Sequence, residues 1–266
     1  MTTKIHQSAI ISPQAKLGQN VEIGPFCIIG DDVEIGDNSV LKSHIVIEGN
    51  TKIGKNNIIF PFATIGVVPQ DLKFSGEKAR LIIGDNNKIR EHVTIHLGTQ
   101  DGIMETRVGS NCLLMVGAHI AHDCIVGNNV ILANNATLAG HVEVADNVVI
   151  GGLAAIHQFV RIGNGAMIGG LSGVVSDILP YATVNGERAF VSGLNLIGLK
   201  RRGFERTEIH ALRNFFKKLF NEDKEENFLS RARKIEKEFN SKLVKEVFNF
   251  IDSESSRSFC QTKNNL

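Results

Sequence analysis

Tryptophan, long apolar runs and an excess of charge of one sign are all missing from this sequence. Tryptophan is absent, there is one tyrosine, and the net charge is only +1 over 266 residues. No long basic run occurs, so a nucleic-acid partner is not indicated. The longest apolar run, residues 148–156, is too short to cross a bilayer, and residues 1–10 lack a signal-peptide pattern. We therefore expect a cytoplasmic protein without membrane insertion.

The four cysteines lack the spacing of a disulfide framework or a metal site. Cys27, Cys112 and Cys124 all fall at the small-residue position of a repeat described below, so we expect small, buried side chains there. Cys260 lies in a polar tail, residues 253–266, which we expect to be frayed. These features fit a reducing cytosol.

A six-residue repeat dominates what the sequence does contain. Over residues 108–174 every sixth residue is aliphatic, and a small or β-branched residue follows four positions later. A short fixed period is typical of a β-solenoid, in which each strand buries its aliphatic residue against neighbouring coils. Three hexads make a three-sided coil, and coils should stack about 4.8 Å apart. A narrow core of this kind has no room for tryptophan.

The repeat sets the domain organisation. It begins near Ile5, and we predict that it ends at Pro180. Residues 67–82 and 97–107 interrupt it and are predicted to be loops, which are often functional inside a strict repeat. After the repeat the apolar period changes to 3.6 and predicts helices over about 209–220, 229–239 and 243–251. We therefore predict a β-helix domain, residues 1–190, and a small C-terminal α-helical domain, residues 191–266.

The same period sorts the histidines. Ile120, Leu138 and Ile156 are 18 residues apart and should stack in one column, which Ile95 joins once the second loop is set aside. A packed solenoid needs no histidines beside such a column, so this edge is the candidate active site. Five of the nine histidines lie within three residues of it: His96, His119, His122, His141 and His157.

Three interpretations of this edge are open. In the first, His122 is a general base oriented by Asp123. Adjacent strand residues face opposite ways, so this contact requires a bend at a coil corner. In the second, three histidines bind zinc, as in solenoid carbonic anhydrases of the gamma type. In the third, the histidines are incidental to a binding or structural solenoid. The spacing alone does not choose between them.

Four stretches carry a more specific resemblance: residues 118–123 (AHIAHD), 131–141 (ILANNATLAGH), 155–159 (AIHQF) and 198–204 (GLKRRGF). Together with the hexads they resemble the UDP-N-acetylglucosamine O-acyltransferase family, whose members begin lipid A synthesis. The likeness covers nearly the whole chain and weakens after about Phe220. It implies a homotrimer of left-handed parallel β-helices with active sites in the clefts between subunits. The left hand rests on the resemblance alone, because parallel crossovers are generally right-handed.

The resemblance implies transfer of a 3-hydroxyacyl chain from an acyl carrier protein to the 3-hydroxyl of UDP-N-acetylglucosamine, without a metal or a separate cofactor. His122 would be the general base, Asp123 would orient it, and the backbone N–H of Gly152 would bind the oxyanion. Gly170 would set the acyl length. The other substrate-binding positions would be Asp71, Lys73, His96, His119, His141, His157, Gln158, Asn195, Arg201 and Arg202, the last two at the start of a helix.

Three positions depart from the family pattern. Ile197 stands in place of a glutamate in the nucleotide pocket, Arg188 in place of a histidine near the acyl end, and Gly117 in place of an asparagine beside the catalytic strand. They bear on nucleotide affinity and acyl choice rather than on the reaction class. Three histidines that lie off the column have no expected role: His44, His92 and His210.

Overall fold

The structure, a computed structural model, describes residues 3–221 and 226–263. Most of these residues wind into a three-sided solenoid with one sheet per side, parallel except at the last strand of one sheet, and helices follow at its C-terminal end. The inward aliphatics of residues 108–174 are all buried in one continuous core, whereas Ile5, at the start of the repeat, is 52% exposed. Their column is in register: Ile95 pairs with Ile120, Ile120 with Leu138, and Leu138 with Ile156. The parallel β-solenoid predicted from the hexads is thereby confirmed.

The strands of the described residues are numbered in chain order. The first sheet contains β1 (Lys4–Ile5), β4 (Glu22–Ile23), β7 (Val40–Leu41), β10 (Ile58–Ile59), β13 (Lys88–Ile89), β16 (Leu113–Leu114), β19 (Ile131–Leu132), β22 (Val149–Ile150), β25 (Met167–Ile168), β27 (Ala182–Asn185) and β28 (Phe190–Leu194). The second sheet contains β2 (Ile10–Ile11), β5 (Ile28–Ile29), β8 (Val46–Ile47), β11 (Thr64–Val67), β14 (Thr94–His96), β17 (His119–Ile120), β20 (Thr137–Leu138), β23 (Ala155–Ile156) and β26 (Gly173–Val174). The third sheet contains β3 (Lys16–Leu17), β6 (Val33–Ile35), β9 (Asn50–Ile53), β12 (Arg80–Ile83), β15 (Glu105–Val108), β18 (Ile125–Val126), β21 (Glu143–Val144) and β24 (Arg161–Ile162).

The chain turns from the first sheet to the second at the first corner, from the second to the third at the second corner, and back at the third corner. Many corners use a left-handed residue with φ near +60°. Asparagine tolerates this conformation better than most residues, because its short side chain bonds locally. It fills the third corner repeatedly: Asn20, Asn38, Asn56, Asn86, Asn111, Asn129 and Asn147.

Both predicted interruptions are loops at the second corner, but each is shorter than expected. Strand β11 ends at Val67 and β12 begins at Arg80, so the first loop is 68–79; β15 begins at Glu105, so the second is 97–104. Residues 80–82 and 105–107 are strand because β12 pairs along its whole length with β9 and β15. Leu81 and Thr106 are fully buried inward residues of this longer ladder.

The predicted end of the repeat at Pro180 is wrong. Strand β27 still stacks in parallel on β25, with Val184 opposite Ile168, before β28 returns antiparallel to it. Pro180 occupies the turn before β27, where a proline removes no ladder hydrogen bond. The predicted division between residues 190 and 191 therefore falls inside β28.

Four helices follow in the described residues: α1 (Leu196–Arg201), α2 (Arg206–Asn221), α3 (Phe228–Glu236) and α4 (Lys242–Asp252). Helices α2 to α4 confirm the three predicted from the 3.6 period, and α1 is additional. Arg201 is the last residue of α1 and Arg202 is its C-cap, so the two arginines close a helix instead of opening one. None of the described helices is both long and apolar enough to span a membrane.

The C-terminal strap, residues 253–263, corrects the expectation of a frayed tail. The Asp177 N–H donates to the Ser258 carbonyl and the Cys260 N–H donates to the Asp177 carbonyl, each at 2.8 Å. Cys260 is buried, as are the other three cysteines, and all four are free thiols. The buried Cys260 thus anchors a segment whose other residues are mostly polar. The end of the predicted tail, 264–266, lies outside the described residues.

Candidate active site

The centre of the histidine edge is a contact between neighbours at the second corner. Asp123 has a φ of 58°, the left-handed bend that this corner requires. The bend turns both side chains to one side, and His122 Nδ1 lies 2.9 Å from Asp123 Oδ2. The His122 side chain is 15% exposed and the Asp123 side chain is fully buried. We predicted that this contact would require a bend at a coil corner, and that bend is present.

The second loop holds the carboxylate of Asp123 in place. Its Oδ1 accepts the backbone N–H groups of Thr99 and Ile103 at 3.1 and 3.0 Å, and Oδ2 accepts the Thr99 hydroxyl at 2.6 Å. Gly102 permits the approach, because a Cβ there would lie 2.3 Å from the carboxyl carbon. Sequence reasoning missed these loop residues, although the loop's richness in glycine and threonine was visible.

Burial and hydrogen bonding act in opposite directions on this site. Burial pushes the pKa of Asp123 upward, but hydrogen bonds from His122 and Thr99 outweigh it, so the pKa is lowered and the carboxylate stays ionised. Burial, aided by His119 and His122, lowers the pKa of His96 to about 4. Burial, then the nearby His122, also lowers the pKa of His119. The edge therefore combines an ionised carboxylate with two buried imidazoles, His96 and His119, whose pKa values are lowered.

The other histidines of the column are arranged around His122. His141, one coil on, meets it edge to face with ring centroids 5.0 Å apart, and stacks on Phe159 at 4.4 Å. His96 and His119 form a second edge-to-face pair at 4.9 Å. His119 Nδ1 also bonds the Thr94 hydroxyl at 2.7 Å. The structure thus brings together four of the five predicted histidines.

A glycine in the next coil lies directly against the imidazole of His122. A Cβ on Gly140 would fall 2.6 Å from Cε1 and 2.7 Å from Nε2 of that ring. Any side chain at position 140 would therefore displace the ring. Gly140 directly precedes His141 in the chain, and this position next to a column histidine could have identified it from the sequence.

Gly152 and Gly170 lie elsewhere, at the first corner. Gly152 follows β22 of the first sheet, whereas His122 follows β17 of the second, so the two occupy opposite ends of the second sheet's strands. Gly170 stacks on Gly152, and a Cβ there would lie 3.2 Å from the Gly152 carbonyl oxygen. The exposed side chains of Leu153 and Leu171 flank them. Within one chain the structure does not bring Gly152 to His122.

Asp71 and Lys73 lie on the first loop, beside the second loop. Lys73 Nζ is 3.1 Å from Asp101 Oδ2, an exposed ion pair that joins the two loops. The charge of Asp71 reaches His141: burial lowers the pKa of His141, Asp123 and Asp71 oppose this, and the net shift is downward. The loop therefore faces the histidine edge, while Leu72 between these residues is fully exposed.

The remaining predicted residues lie in two separate regions, the histidine edge and the surroundings of α1. His157 and Gln158 follow β23 on the histidine edge and are exposed. Asn195 is the N-cap of α1, its side chain accepting the Gly198 N–H at 2.9 Å and donating to the Gly165 carbonyl at the third corner. These last groups are far from the second corner in a single chain.

The two arginines after α1 differ in their surroundings. The Arg202 guanidinium lies over the rings of Tyr181 and Phe204 and donates to Asn164 Oδ1 at 3.3 Å, which ties it to the third corner. Arg201 is exposed. Of the departures from the family pattern, Ile197 is 65% exposed on α1. Gly117 has a φ of 70°, and a Cβ there would meet Asn135 Oδ1 at 2.2 Å.

Within residues 3–221 and 226–263, one group of side chains has the composition of a metal site. Ligand atoms of His122, Asp123 and His141 lie within 4.8 Å of one another. A carboxylate accepts about four hydrogen bonds in total. Asp123 already accepts two from Thr99, one from Ile103 and one from His122. A metal would have to displace one of these donors, so the residues present do not fit a zinc site well.

Comparison with known proteins identifies the family of this chain. The family described as UDP-N-acetylglucosamine O-acyltransferase, domain 2, matches residues 177–260, and the bacterial transferase hexapeptide repeat matches residues 14–49 and 105–140. An acyl-[acyl-carrier-protein]–UDP-N-acetylglucosamine O-acyltransferase of Rickettsia africae is 58% identical, over 97% of this chain and 98% of the relative. The enzyme of that name from Rickettsia canadensis is 54% identical over 97% of each chain.

Solved structures show the same likeness. LpxA from Acinetobacter baumannii superposes with a TM-score of 0.93 at 42% identity, over 97% of this chain and 99% of the other. The UDP-N-acetylglucosamine acyltransferase from Campylobacter jejuni gives a TM-score of 0.91 at 42% identity, over 98% and 100% of the two chains. Identity of this extent along the whole length, with the hexad solenoid and its C-terminal helices, shows common descent. The chain is an enzyme of the acyl-[acyl-carrier-protein]–UDP-N-acetylglucosamine O-acyltransferase family.

Proposed function

We propose that this chain transfers a 3-hydroxyacyl group from an acyl carrier protein to the 3-hydroxyl of UDP-N-acetylglucosamine, the first step of lipid A synthesis. The observation that carries the proposal is the contact between His122 Nδ1 and Asp123 Oδ2 at 2.9 Å. It leaves Nε2 as the nitrogen that can meet a substrate hydroxyl. A sugar hydroxyl is a weak nucleophile, so the reaction needs such a base.

The steps follow from that geometry. His122 Nε2 accepts the proton of the 3-hydroxyl as the oxygen attacks the thioester carbonyl carbon, forming a tetrahedral intermediate. The ionised Asp123 stabilises the resulting imidazolium through Nδ1–H. The intermediate collapses, the C–S bond breaks, and the imidazolium returns its proton to the pantetheine sulfur. None of the four cysteines is suited to act as a nucleophile, because burial raises their pKa values and disfavours the thiolate.

We assign oxyanion stabilisation to the backbone N–H of Gly140 in preference to Gly152. Gly140 lies against the His122 ring, and Gly152 lies at another corner. A donor must stand within hydrogen-bond distance of the developing oxyanion, which forms about 3 Å from the base. Proximity therefore favours Gly140, and the original expectation for Gly152 would require a second subunit.

The placement of the other predicted residues supports a homotrimer of left-handed β-helices with the site between subunits. The histidines lie at the second corner, Gly170 at the first, and Asn195 with Arg202 at the third. A threefold assembly joins unlike surfaces, so it can bring one subunit's second corner against another corner of its neighbour. Leu72 on the first loop is fully exposed in one chain, as expected for a side chain that a neighbour covers.

The first corner supplies an apolar path for the acyl chain. Leu153 and Leu171 are 59% and 69% exposed, and Gly152 and Gly170 leave the adjoining column without side chains. An exposed apolar strip beside open glycine positions fits a long hydrocarbon chain. We therefore propose that Gly170 admits the longer 3-hydroxyacyl donors.

The zinc-dependent carbonic anhydrase alternative is not favoured. Its ligands would be His122, Asp123 and His141, but the carboxylate of Asp123 already accepts four hydrogen bonds. We propose that the reaction uses no metal and no cofactor beyond the donor's own phosphopantetheine. The four free buried thiols are compatible with the proposed cytoplasmic location.

The decisive assay offers UDP-N-acetylglucosamine and a panel of 3-hydroxyacyl carrier proteins to the purified protein, with and without a chelator. We expect acyl transfer to the 3-hydroxyl that survives chelation, and substoichiometric zinc in the protein. Stoichiometric zinc with carbon dioxide hydration would refute the proposal.

A mixing experiment tests the shared site. We propose that the Lys73 loop of one subunit also completes the His122 site of its neighbour. Lys73→Ala and His122→Ala chains should then each be inactive alone, and co-assembled trimers should regain activity through sites that combine intact residues from two chains. Each variant re-assembled with itself is the control. A fully active wild-type monomer would contradict the intersubunit cleft.

A further inference from the structure

The C-terminal strap delivers an arginine to the histidine edge. Arg257 Nη2 lies 2.9 Å from His157 Nδ1, although the two residues are separated by 100 positions in the sequence. Arg257 is half-buried, and its backbone N–H donates to Ser255 Oγ at 3.0 Å. No role was expected for this arginine from the sequence.

The strap is firmly attached to the last coils, which fixes the position of Arg257. Ser255 Oγ donates to Asp177 Oδ2 at 2.6 Å, and Asp177 is fully buried. The same carboxylate accepts Arg161 Nε at 2.8 Å. Backbone bonds continue the attachment after Arg257, from the Asp177 N–H to the Ser258 carbonyl and from the Val191 N–H to the Gln261 carbonyl. The arginine is therefore carried by ordered backbone and not by a free end.

The contact dictates which nitrogen of His157 carries the proton. A guanidinium has only donors, so Nδ1 of His157 must present its lone pair to Arg257. A neutral imidazole that accepts at Nδ1 carries its proton at Nε2. An imidazolium would set two N–H donors against each other at 2.9 Å, which the geometry opposes.

A second group near His157 favours the opposite tautomer. The Gln158 carbonyl oxygen lies 3.3 Å from the same Nδ1. Without Arg257, Nδ1 would gain by carrying the proton and donating to this carbonyl. Nε2 would then become an acceptor. Arg257 thus decides between two tautomers that present opposite hydrogen-bonding character at Nε2.

We infer that Arg257 is a positioning residue that holds His157 in the Nε2–H tautomer, so that His157 donates a hydrogen bond to the diphosphate of the nucleotide sugar. The choice of ligand rests on the function proposed above; the tautomer does not. A phosphate oxygen only accepts, so an Nε2 without its proton would repel it. The guanidinium charge beside the ring adds attraction for an anion.

The tautomer is tested by nitrogen-15 NMR of the imidazole side chains in the full-length protein, with His157→Gln identifying the signal. We expect Nε2 protonated and Nδ1 unprotonated in the wild type, the reverse in Arg257→Met, and restoration in Arg257→Lys, because lysine also only donates. A wild-type His157 protonated at Nδ1 would overturn the inference. This measurement needs no acyl transfer, so it succeeds or fails independently of the proposed function.

Steady-state kinetics test the consequence. Arg257→Met should raise KM for UDP-N-acetylglucosamine about tenfold with kcat changed less than about threefold, the expected loss of one charge-assisted hydrogen bond. In a His157→Gln background the same change should add little, because the two residues act as a unit. The matched control is Arg233→Met, which removes an exposed arginine of α3 that pairs with Asp252 of α4. A tautomer switch without any change in KM would refute the assigned role.

Discussion

The first and second corners of this solenoid share a backbone conformation and differ in what their rings do. His44 and Phe62 at the first corner have φ values of 54° and 65°, and Asp123 and His141 at the second have 58° and 62°. At the first corner Phe26, His44, Phe62 and His92 form a ladder with centroids 4.9, 5.0 and 5.1 Å apart. At the second corner His122 and His141 meet at 89°.

The difference shows how a solenoid separates a structural histidine from a chemical one. In the first-corner ladder each ring repeats the one below, so stacking alone satisfies it. At the second corner a carboxylate breaks the repetition: Asp123 is tied to the second loop and pairs with His122. An imidazole whose Nδ1–H is held by a carboxylate can act as a general base at Nε2. An exposed imidazole held only by ring stacking lacks this orientation.

The largest contrast should come from truncating one histidine at each corner. His122→Ala should lose about 10²–10⁴-fold in kcat, the usual contribution of a general base, while still binding substrate. His44→Ala should keep most of the activity, because it only shortens the ring ladder. Steady-state kinetics with a check of assembly size decide this. An active His122→Ala enzyme, above about a tenth of the wild-type rate, would assign the base elsewhere.

A second pair of variants compares glycines at the two corners. Gly140→Ala should lower kcat by about ten- to a hundredfold, because its Cβ would lie 2.6 Å from the His122 ring and displace the base. Gly152→Ala should stay within a few-fold, since its Cβ meets only Asn134 O at 3.3 Å. The reverse ranking would return the oxyanion role to Gly152. Thermal unfolding of both proteins separates catalytic from structural loss.

Filling the first corner should change the choice of acyl donor without abolishing transfer. Gly170→Met adds a side chain beside the exposed Leu171, where the only close neighbour of a new Cβ is the Gly152 backbone. We expect kcat/KM to shift by about tenfold towards shorter donors, equivalent to about two methylenes of lost burial. Competition between donors of two lengths measures the ratio. An unchanged ratio would show that Gly170 does not set the acyl length, and Arg188 would be the next position to test.

The smallest expected effect concerns stability and pH. Burial lowers the pKa of His96 to about 4 from an ordinary value of 6.5. The unfolded chain therefore binds the extra proton first, so this contribution to stability is complete above pH 6.5 and is lost as the pH falls towards 4. His96→Gln should flatten the fall of the denaturant midpoint over that window, and His44→Gln, at an exposed site, should not. An equally steep fall in His96→Gln would show that other groups dominate.

The sequence was sufficient for the column and for the pair at its centre. A six-residue period is local information, repeated so often that the buried aliphatics and the order of the coils follow from it. The neighbours His122 and Asp123 needed only a corner bend, which the same period locates. Helices α2 to α4 were likewise predicted from the change to a 3.6-residue apolar period, because the amphipathic pattern of a helix lies within its own sequence.

Tertiary structure alone decided which groups support that pair. Thr99 and Ile103 reach Asp123 across about one coil of chain, Gly140 reaches His122 from the next coil, and Arg257 reaches His157 from the other end of the protein. The continuation of the repeat past Pro180 and the docking of the strap also depended on distant partners. Such contacts bring together residues that share no period, so no local pattern records them, and they exist only once the coils have stacked and the C-terminal segment has packed against the last of them.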